Sequence, residues 1–247
     1  MSASGWEALA QWGEDATRIE RLTGGVANYV WSVRINGQLA VGRLGKRSDE
    51  DLQWEAELLQ YLDSKGLTVP VAIPTNDGRF FANGLTVMRF MEGGPPETES
   101  DWRRVADALR ELHLLTQGWP QRPGWKSSID LLQADSGTKV DLLAMPPDGV
   151  ARCRAAWARF RGRQTCVVHG NPNSAANVRI SADRVALIDW DEAHVDIPDL
   201  DLVLPHNAAG LEGEELDFAT QASAAWEAAV CWDDDHAISQ LAAVRSL

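Results

Sequence analysis

Two polar segments, each following a short apolar run, carry the side chains of this sequence that are best suited to chemistry. The first is His169-Gly170-Asn171, followed by Asn177, and the second begins at Asp189. Polar residues directly after a strand are displayed at its end, where open sites tend to be built. A turn joins the two segments, so Asn177 and Asp189 can converge. An amide oxygen beside a carboxylate suits Mg²⁺ that carries phosphates, which indicates phosphoryl transfer.

The first elements that would position these segments form a small sheet. Three β-rich runs come first, Thr17 to Leu22, Tyr29 to Ile35 and Gln38 to Leu44, and Asn36-Gly37 between the last two is a strong hairpin signal. Ser48 opens a helix that has three acidic residues in its first turn, where the helix dipole favours negative charge, and Gly66 ends it. After the helix, Val69 to Ile73 and an Asp77-Gly78 turn lead into two more predicted strands, Arg79 to Ala82 and Leu85 to Met91.

The rest of the chain is predicted to be mostly helical. Residues 93–100 are polar and rich in chain breakers, which predicts a linker. Apolar residues at helical spacing then predict helices over Trp102 to Thr116, Val150 to Arg161 and Glu214 to Val230. Three short strand-like runs lie among them: Thr165 to Val168, Asn177 to Ile180 and Val185 to Ile188.

Together, these features resemble the aminoglycoside phosphotransferase and choline kinase family, whose fold is similar to that of protein kinases. The family signature is His-Gly-Asp, four residues, then Asn, followed by a strand that ends in Ile-Asp-Trp or Ile-Asp-Phe and later by an Asp-Leu-Ala-like turn. The matching segments are His169-Gly170, Ile188-Asp189-Trp190 and Asp201-Leu202-Val203. The resemblance covers nearly the whole chain.

The resemblance implies an α+β, two-lobed, protein-kinase-like fold. Residues 1–92 would form a nucleotide-binding lobe with five strands and one helix, residues 93–100 a linker, and residues 101–247 a mostly helical catalytic lobe. It also implies a small-molecule kinase that transfers the γ-phosphate of ATP or GTP to a hydroxyl group with the help of Mg²⁺. Asn177 and Asp189 would hold the metal ion, and His169 and Asn171 would occupy the catalytic segment.

Two departures from the family pattern bear on these roles. Asn171 stands where the family has its catalytic Asp. The gap that follows is one residue longer than usual, so the strict pattern would select Ala176 in place of Asn177. We favour Asn177 because alanine has no oxygen for a metal and because Asn177 begins the next predicted strand. Asn173 is the fallback.

The resemblance also implies a cationic side chain on the third strand, paired with a glutamate on the helix, to hold phosphates. Arg43 is the candidate cation, and Lys46 is its rival beyond the strand. Glu55 is the candidate partner because it falls on the apolar helical stripe of Leu52 and Leu59, where a carboxylate needs an internal partner. The alternative is that Glu55 leans to the edge of the stripe and stays in water.

Further residues would contact the nucleotide if the resemblance holds. Gly24 and Gly25 lie between the first two strands, where the family has a phosphate-covering loop, although two glycines also suit a plain hairpin turn. The end of the fifth strand would offer backbone groups to the base, and ordinary strand packing explains this segment equally well. Its residues are Met88, Arg89, Phe90 and Met91. His113 is interpreted as a hydrogen-bonded core histidine.

Asn171 supports a second hypothesis, a pseudokinase that binds a nucleotide or metabolite without turnover. A neutral amide cannot accept the proton of a hydroxyl group, and loss of a general base costs roughly 10² to 10⁴-fold in rate. Phosphoryl transfer depends heavily on positioning and charge stabilisation, so residual activity is compatible with Asn171.

The amino-acid composition narrows the classes of molecule that this protein could bind. The 247 residues include 23 Lys and Arg against 36 Asp and Glu, a net charge of −13, which disfavours nucleic acid and anionic membranes and mildly favours a cationic substrate. We find no signal peptide and no apolar run of membrane-spanning length. Cys153, Cys166 and Cys231 form no C-x-x-C pair, which favours the cytoplasm over an oxidising compartment.

Overall fold

The structure is a computed structural model that describes residues 5–22, 29–137, 139–232 and 234–245. The chain divides into two compact units. The first comprises Met1–Pro95 together with Val178–Ile188, and the second comprises Pro96–Asn177 together with Asp189–Leu247. The predicted linker, residues 93–100, contains the boundary at Pro95.

The first unit contains an antiparallel sheet of five strands in the order β1-β2-β3-β5-β4. The strands are β1 (Thr17–Arg21), β2 (Tyr29–Ile35), β3 (Gln38–Leu44), β4 (Phe81–Ala82) and β5 (Leu85–Arg89). Asn36 and Gly37 join β2 to β3 with φ angles of 49° and 78°, the left-handed conformation that a two-residue hairpin turn requires. The predicted hairpin therefore forms at the predicted dipeptide.

Helix α1 (Asp49–Ser64) follows β3. The Ser48 hydroxyl accepts a hydrogen bond from the Asp51 backbone N–H at 3.2 Å, which caps the helix as predicted. The run Val69 to Ile73 forms no regular strand and is held to β5 by single contacts such as the Ile73 N–H donating to the Val87 carbonyl at 2.7 Å. Pro70 and Pro74 remove the donors that a continuous ladder needs.

A short 3₁₀ helix, Trp6–Trp12, covers one face of this sheet and was not predicted from the sequence. The Trp6 ring lies so close to Gly42 on β3 that a Cβ there would be 2.9 Å from it. The Trp12 indole N–H donates to the Ile73 carbonyl at 2.7 Å. The two tryptophans therefore belong to the core of the first unit.

The remaining strands are β6 (Cys166–Val168), β7 (Val178–Ile180), β8 (Val185–Leu187) and β9 (His194–Asp196). β7 and β8 form an antiparallel hairpin, which the sequence analysis placed in the second lobe. The structure groups this hairpin with the first unit. Its backbone explains why, since Ile180 pairs with Gly94 and the Leu187 N–H donates to the Thr68 carbonyl at 3.3 Å.

The second unit is built on helices with one small sheet of β6 and β9. The helices are α2 (Glu99–Leu115), α3 (Pro147–Ala158), α4 (Gly213–Val230) and α5 (Asp235–Ala243). Trp157 on α3 and Trp226 on α4 pack edge to face in its core. None of the helices in the described ranges is long and apolar enough to cross a membrane.

Candidate active site

A buried carboxylate, that of Asp201, binds the backbone of the segment that follows β6 and begins at His169. Asp201 accepts hydrogen bonds from the backbone N–H groups of His169, at 2.7 Å, and Gly170, at 3.0 Å. The His113 ring on α2 contacts the same carboxylate through Nε2 at 2.9 Å. Burial raises the pKa of Asp201, but the hydrogen bond and charge of His113 and the His169 contacts outweigh it, so the pKa is lowered. Asp201 therefore stays ionised and fixes the segment.

His169 and Asn171 are placed differently although they are two residues apart. His169 is fully buried, and its ring centroid lies 4.9 Å from that of Trp190. Its Nδ1 accepts a long hydrogen bond, 3.4 Å, from the Asn171 N–H. The Asn171 side chain is exposed. Of the two residues predicted to be catalytic, only Asn171 can face a substrate, and His169 supports the turn beneath it.

Asn177 connects directly to the Asn171 segment. It is mostly buried at the end of a 3₁₀ turn, and its side-chain Nδ2 donates to the Asn171 carbonyl at 2.9 Å. Its Oδ1 makes no hydrogen bond with any residue that the structure describes. Ala176 and Asn173, the other two positions considered, are exposed. Because its nitrogen contacts Asn171, the Asn177 side chain lies next to Asn171 and its oxygen is available to bind a metal ion.

Asp189 follows β8 in a left-handed conformation, with φ 64° and ψ 69°. This conformation costs a residue other than glycine about 1–2 kcal/mol, and such strain concentrates at functional sites. The side chain is exposed and makes no hydrogen bond or ion pair within the described ranges. Because Val178 pairs with Leu187, Asn177 and Asp189 leave the hairpin at the same end.

The chemistry of these two residues fits a hard divalent cation. Mg²⁺ is usually held by one or two carboxylates, with the remaining positions filled by water and substrate phosphates. Asp189 supplies a carboxylate, and Asn177 supplies an amide oxygen whose nitrogen is already engaged. No three His, Cys, Asp or Glu side chains of the described residues are grouped to hold a metal, at this site or at any other.

A buried arginine that the sequence analysis missed holds the turn after Asp189. Arg122 is 1% exposed, and its Nη1 donates to the carbonyl oxygens of Trp190 at 3.1 Å, Asp191 at 3.1 Å and Ala193 at 2.7 Å. No sequence signal pointed to it, since Arg122 lies in an irregular stretch before Pro123, outside any periodic element.

The first unit brings Arg43 and Glu55 together. Arg43 Nη1 lies 3.3 Å from Glu55 Oε1, and both side chains are buried. The other oxygen of Glu55 contacts Arg47 Nη1 at 2.5 Å. Lys46 is exposed and lies beyond the end of β3. The family resemblance implied such a pair, and the strand position of Arg43 and the apolar stripe of α1 selected these two residues for it.

Arg47 is a second partner that the sequence analysis did not name. Its Nε donates to Asp51 at 2.9 Å, so Glu55 and Asp51 share it. Burial lowers the pKa of Arg47, but the neighbouring carboxylates of Glu55 and Asp51 raise it by more, and the guanidinium stays charged. Arg47 precedes the cap residue Ser48 and so lies outside α1, but a basic residue just before a helix, with acidic residues four and eight positions later, is the sequence signal that could have identified it.

The end of β5 borders a cavity in the first unit of about 350 Å³. Arg89, Phe90 and Met91 line it, whereas Met88 is buried in the strand and is not among its lining residues. The volume falls within the range of about 300–1,000 Å³ that small-molecule sites occupy. Gly24 and Gly25 lie outside the described residues.

Comparison with known proteins gives one family and a set of related structures. The model of APH, the phosphotransferase enzyme family, matches residues 18–237. No curated protein matches the chain significantly.

Three solved structures illustrate the similarity. A microcompartment-associated aminopropanol kinase matches with a TM-score of 0.67 at 15% identity, over 96% of this chain and 92% of the other. The choline kinase LicA from Streptococcus pneumoniae matches with 0.66 at 14% identity, over 96% and 94%. A thermostable mutant of aminoglycoside phosphotransferase APH(4)-Ia, in ternary complex with ADP and hygromycin B, matches with 0.64 at 15% identity, over 98% and 97%. These similarities confirm the predicted α+β kinase-like fold.

Proposed function

Because the chain belongs to the phosphotransferase enzyme family, we propose that it is a kinase that transfers the γ-phosphate of ATP or GTP to a hydroxyl group of a small, amine-bearing metabolite or antibiotic. One observation carries the proposal. The Asn177 side chain donates through its nitrogen to the Asn171 carbonyl, which leaves its oxygen available to bind a metal ion. Asp189 is exposed, offers both carboxylate oxygens, and follows the same end of the β7–β8 hairpin.

Each residue then has a defined task. Asp189 and Asn177 hold Mg²⁺, which neutralises charge on the phosphates when bound. Arg43, fixed by Glu55, orients the phosphates through its planar guanidinium. The cavity at Arg89, Phe90 and Met91 accepts the base of the nucleotide.

The amine-bearing acceptor is supported by charge and by similarity. The chain has a net charge of −13, which favours a cationic compound. The related structures include kinases of aminopropanol and choline and an aminoglycoside phosphotransferase, whose acceptors all combine a nitrogen with hydroxyl groups. Asn171 would meet the acceptor hydroxyl, because its exposed side chain projects from the segment that Asp201 fixes.

Asn171 also favours a second candidate function, nucleotide or metabolite binding without turnover. An amide can orient a hydroxyl group but cannot accept its proton. The kinase proposal therefore expects slow turnover, reduced by about 10² to 10⁴-fold relative to a site with a carboxylate.

The first test is a nucleotide titration with and without Mg²⁺. We expect Mg²⁺ to tighten binding of ATP or GTP in the unaltered protein and Asp189→Ala to abolish that dependence. Asp183→Ala is the matched control, because Asp183 is also an exposed aspartate and lies in the turn of the same hairpin. Equal affinity with Mg²⁺ and with a chelator in the unaltered protein would contradict the proposal.

The second test separates the two candidate functions. Asn171→Asp should raise kcat by about 10² to 10⁴-fold on a panel of amino alcohols and aminoglycosides, since it restores a proton acceptor at nearly constant shape. Asn173→Asp places the same charge at an exposed position two residues on and should not do so. If Asn171→Asp stays inactive on the whole panel while nucleotide still binds, the binding function stands and the kinase function fails.

A further inference from the structure

Asp189 owes its conformation to the turn that follows it. Trp190–Glu192 form a single 3₁₀ turn, and Asp189 precedes it in a left-handed conformation, which costs free energy and persists where the surrounding structure supports it. The backbone position of Asp189 therefore depends on the contacts that hold this turn in place.

Arg122 holds the turn from inside the second unit. One guanidinium nitrogen reaches three carbonyl oxygens, those of Trp190, Asp191 and Ala193, at 3.1, 3.1 and 2.7 Å. A hydrogen bond from a charged donor is roughly twice as strong as a neutral one, and burial strengthens it further. A single guanidinium nitrogen thus binds carbonyl groups at both ends of the turn.

Arg122 is itself fixed before it contacts the turn. The side chain of Gln121 accepts from the Arg122 N–H at 2.8 Å and from the Val195 N–H at 2.9 Å, and it donates to the Val195 carbonyl at 2.8 Å. The guanidinium also lies over the Trp125 ring, 5.2 Å from its centroid. Both the backbone and the head group of Arg122 are therefore anchored in place.

The far side of the same turn meets the Asn171 segment. Gly170 has φ +90°, and a Cβ on it would lie 2.5 Å from the Glu192 carbonyl oxygen, so the two backbones are in close contact. A shift of the turn would therefore move both Asn171, which follows Gly170, and Asp189, which precedes Trp190.

We infer that Arg122 is a positioning residue. By binding the turn at residues 190–193, which lies between Asp189 and the Asn171 segment, it holds the two at a fixed distance from each other. The inference rests on the proposed function, because it concerns the metal-dependent binding of nucleotide at that site. Partners that orient metal ligands in this way typically change metal affinity by about 10–100-fold when they are removed.

The experiment measures the Mg²⁺ ratio, defined as the nucleotide dissociation constant without Mg²⁺ divided by that with Mg²⁺, together with Mn²⁺ affinity by electron paramagnetic resonance. Arg122→Met should lower the ratio and the Mn²⁺ affinity by about tenfold or more. Binding of metal-free nucleotide should stay within about twofold. Arg122→Lys, which keeps the charge on a shorter side chain without a planar group over Trp125, should fall between Arg122→Met and the unaltered protein.

The matched control is Arg154→Met. Arg154 also donates to backbone carbonyls, those of Leu131 at 3.0 Å and Ala134 at 2.9 Å, but it supports a different turn. It should lower the melting temperature without changing the Mg²⁺ ratio. If Arg122→Met does not fold, the comparison of Arg122→Lys with Arg154→Lys carries the test.

The outcomes separate the inference from the function on which it rests. An unaltered protein that shows no Mg²⁺ dependence contradicts the proposed function and the inference together. Mg²⁺ dependence in the unaltered protein that survives in Arg122→Met contradicts the inference alone, even if the variant is less stable. Loss of the dependence in Arg122→Met, with Arg154→Met unaffected, supports both.

Discussion

Replacing Glu55 by Gln tests whether the carboxylate is as strongly paired as its surroundings indicate. The side chain is 3% exposed and lies between Arg43, 9% exposed, and Arg47, 15% exposed. The change keeps the shape and removes the charge, so it leaves two guanidinium groups facing a neutral amide. Asp51→Asn is the matched control, because Asp51 carries the same charge and contacts Arg47, but from a more exposed position.

The expected magnitudes differ by a factor of about three or more. Breaking a buried ion pair by removing one partner costs about 3–5 kcal/mol, and we expect the lower end because Arg47 keeps Asp51. Loss of a more exposed pair costs about 1 kcal/mol or less. A domain of this size loses roughly 2–4 °C per kcal/mol, so Glu55→Gln should lower the melting temperature by about 6–12 °C and Asp51→Asn by at most about 4 °C.

Differential scanning calorimetry measures both variants under the same conditions. Since the chain has two compact units, the comparison uses the transition that Glu55→Gln shifts, whether the scan shows one transition or two. Equal shifts for Glu55→Gln and Asp51→Asn would refute the reasoning, because the Glu55 carboxylate would then be no better shielded from water than that of Asp51.

Two further predictions follow from lowered and raised pKa values. The lowered pKa of Asp201 means that its carboxylate stabilises the fold fully above about pH 4 and that this contribution is lost as the pH falls through the folded value. Urea denaturation at several acidic pH values should therefore show a shallower loss of stability for Asp201→Asn, and parallel curves would contradict this. Burial raises the pKa of all three cysteines, that of Cys153 to about 12, but Cys153 and Cys166 are buried whereas Cys231 is only half-buried. Ellman's reagent near neutral pH should reach Cys231 first in the folded protein, and fast reaction of Cys153 or Cys166 would show that the α3 or β6 core opens readily.

Features that depend on neighbouring residues were predictable from the sequence. The Asn36-Gly37 turn is an example, because its left-handed angles are set by two residue types. The faces that Arg43 and Glu55 occupy are another example, because strand alternation and the helical period place each side chain, whereas the expectation that the two form a pair came from the family resemblance. In both cases the information lies within a few positions of the residue concerned.

Features that depend on distant contacts were not predictable. Arg122 reaches a turn that is 68 residues away, and nothing near it in sequence marks it as buried. Strand β9 was missed because its residues His194 and Asp196 are polar, and polar residues rarely form a buried strand. Their burial is compensated by groups far along the chain: Ser128 donates to Asp196 at 2.6 Å, and the rings of Trp125 and Trp226 stack on His194.

The choice between Ala176 and Asn177 shows how spacing and geometry differ as evidence. Counting residues from Asn171 favoured Ala176, whereas the chemistry of the side chain and the start of the next predicted strand favoured Asn177. In the structure, Asn177 ends a short 3₁₀ turn, Ala175–Asn177, and its side chain returns to the Asn171 carbonyl. The 3₁₀ turn therefore lies within the stretch that is one residue longer than the family pattern, and the contact with Asn171 is made by Asn177.

The side chain of Gln121 also has a consequence for how the protein behaves at high concentration. An edge strand presents outward N–H and C=O groups that can pair with a strand of another molecule and start aggregation. In the three-residue strand β9, the central residue Val195 carries the outward pair, because outward groups occur at every second residue. Gln121 binds both of these groups at 2.8 and 2.9 Å. One amide side chain thus takes the place of a further strand and closes this sheet edge against intermolecular β-pairing.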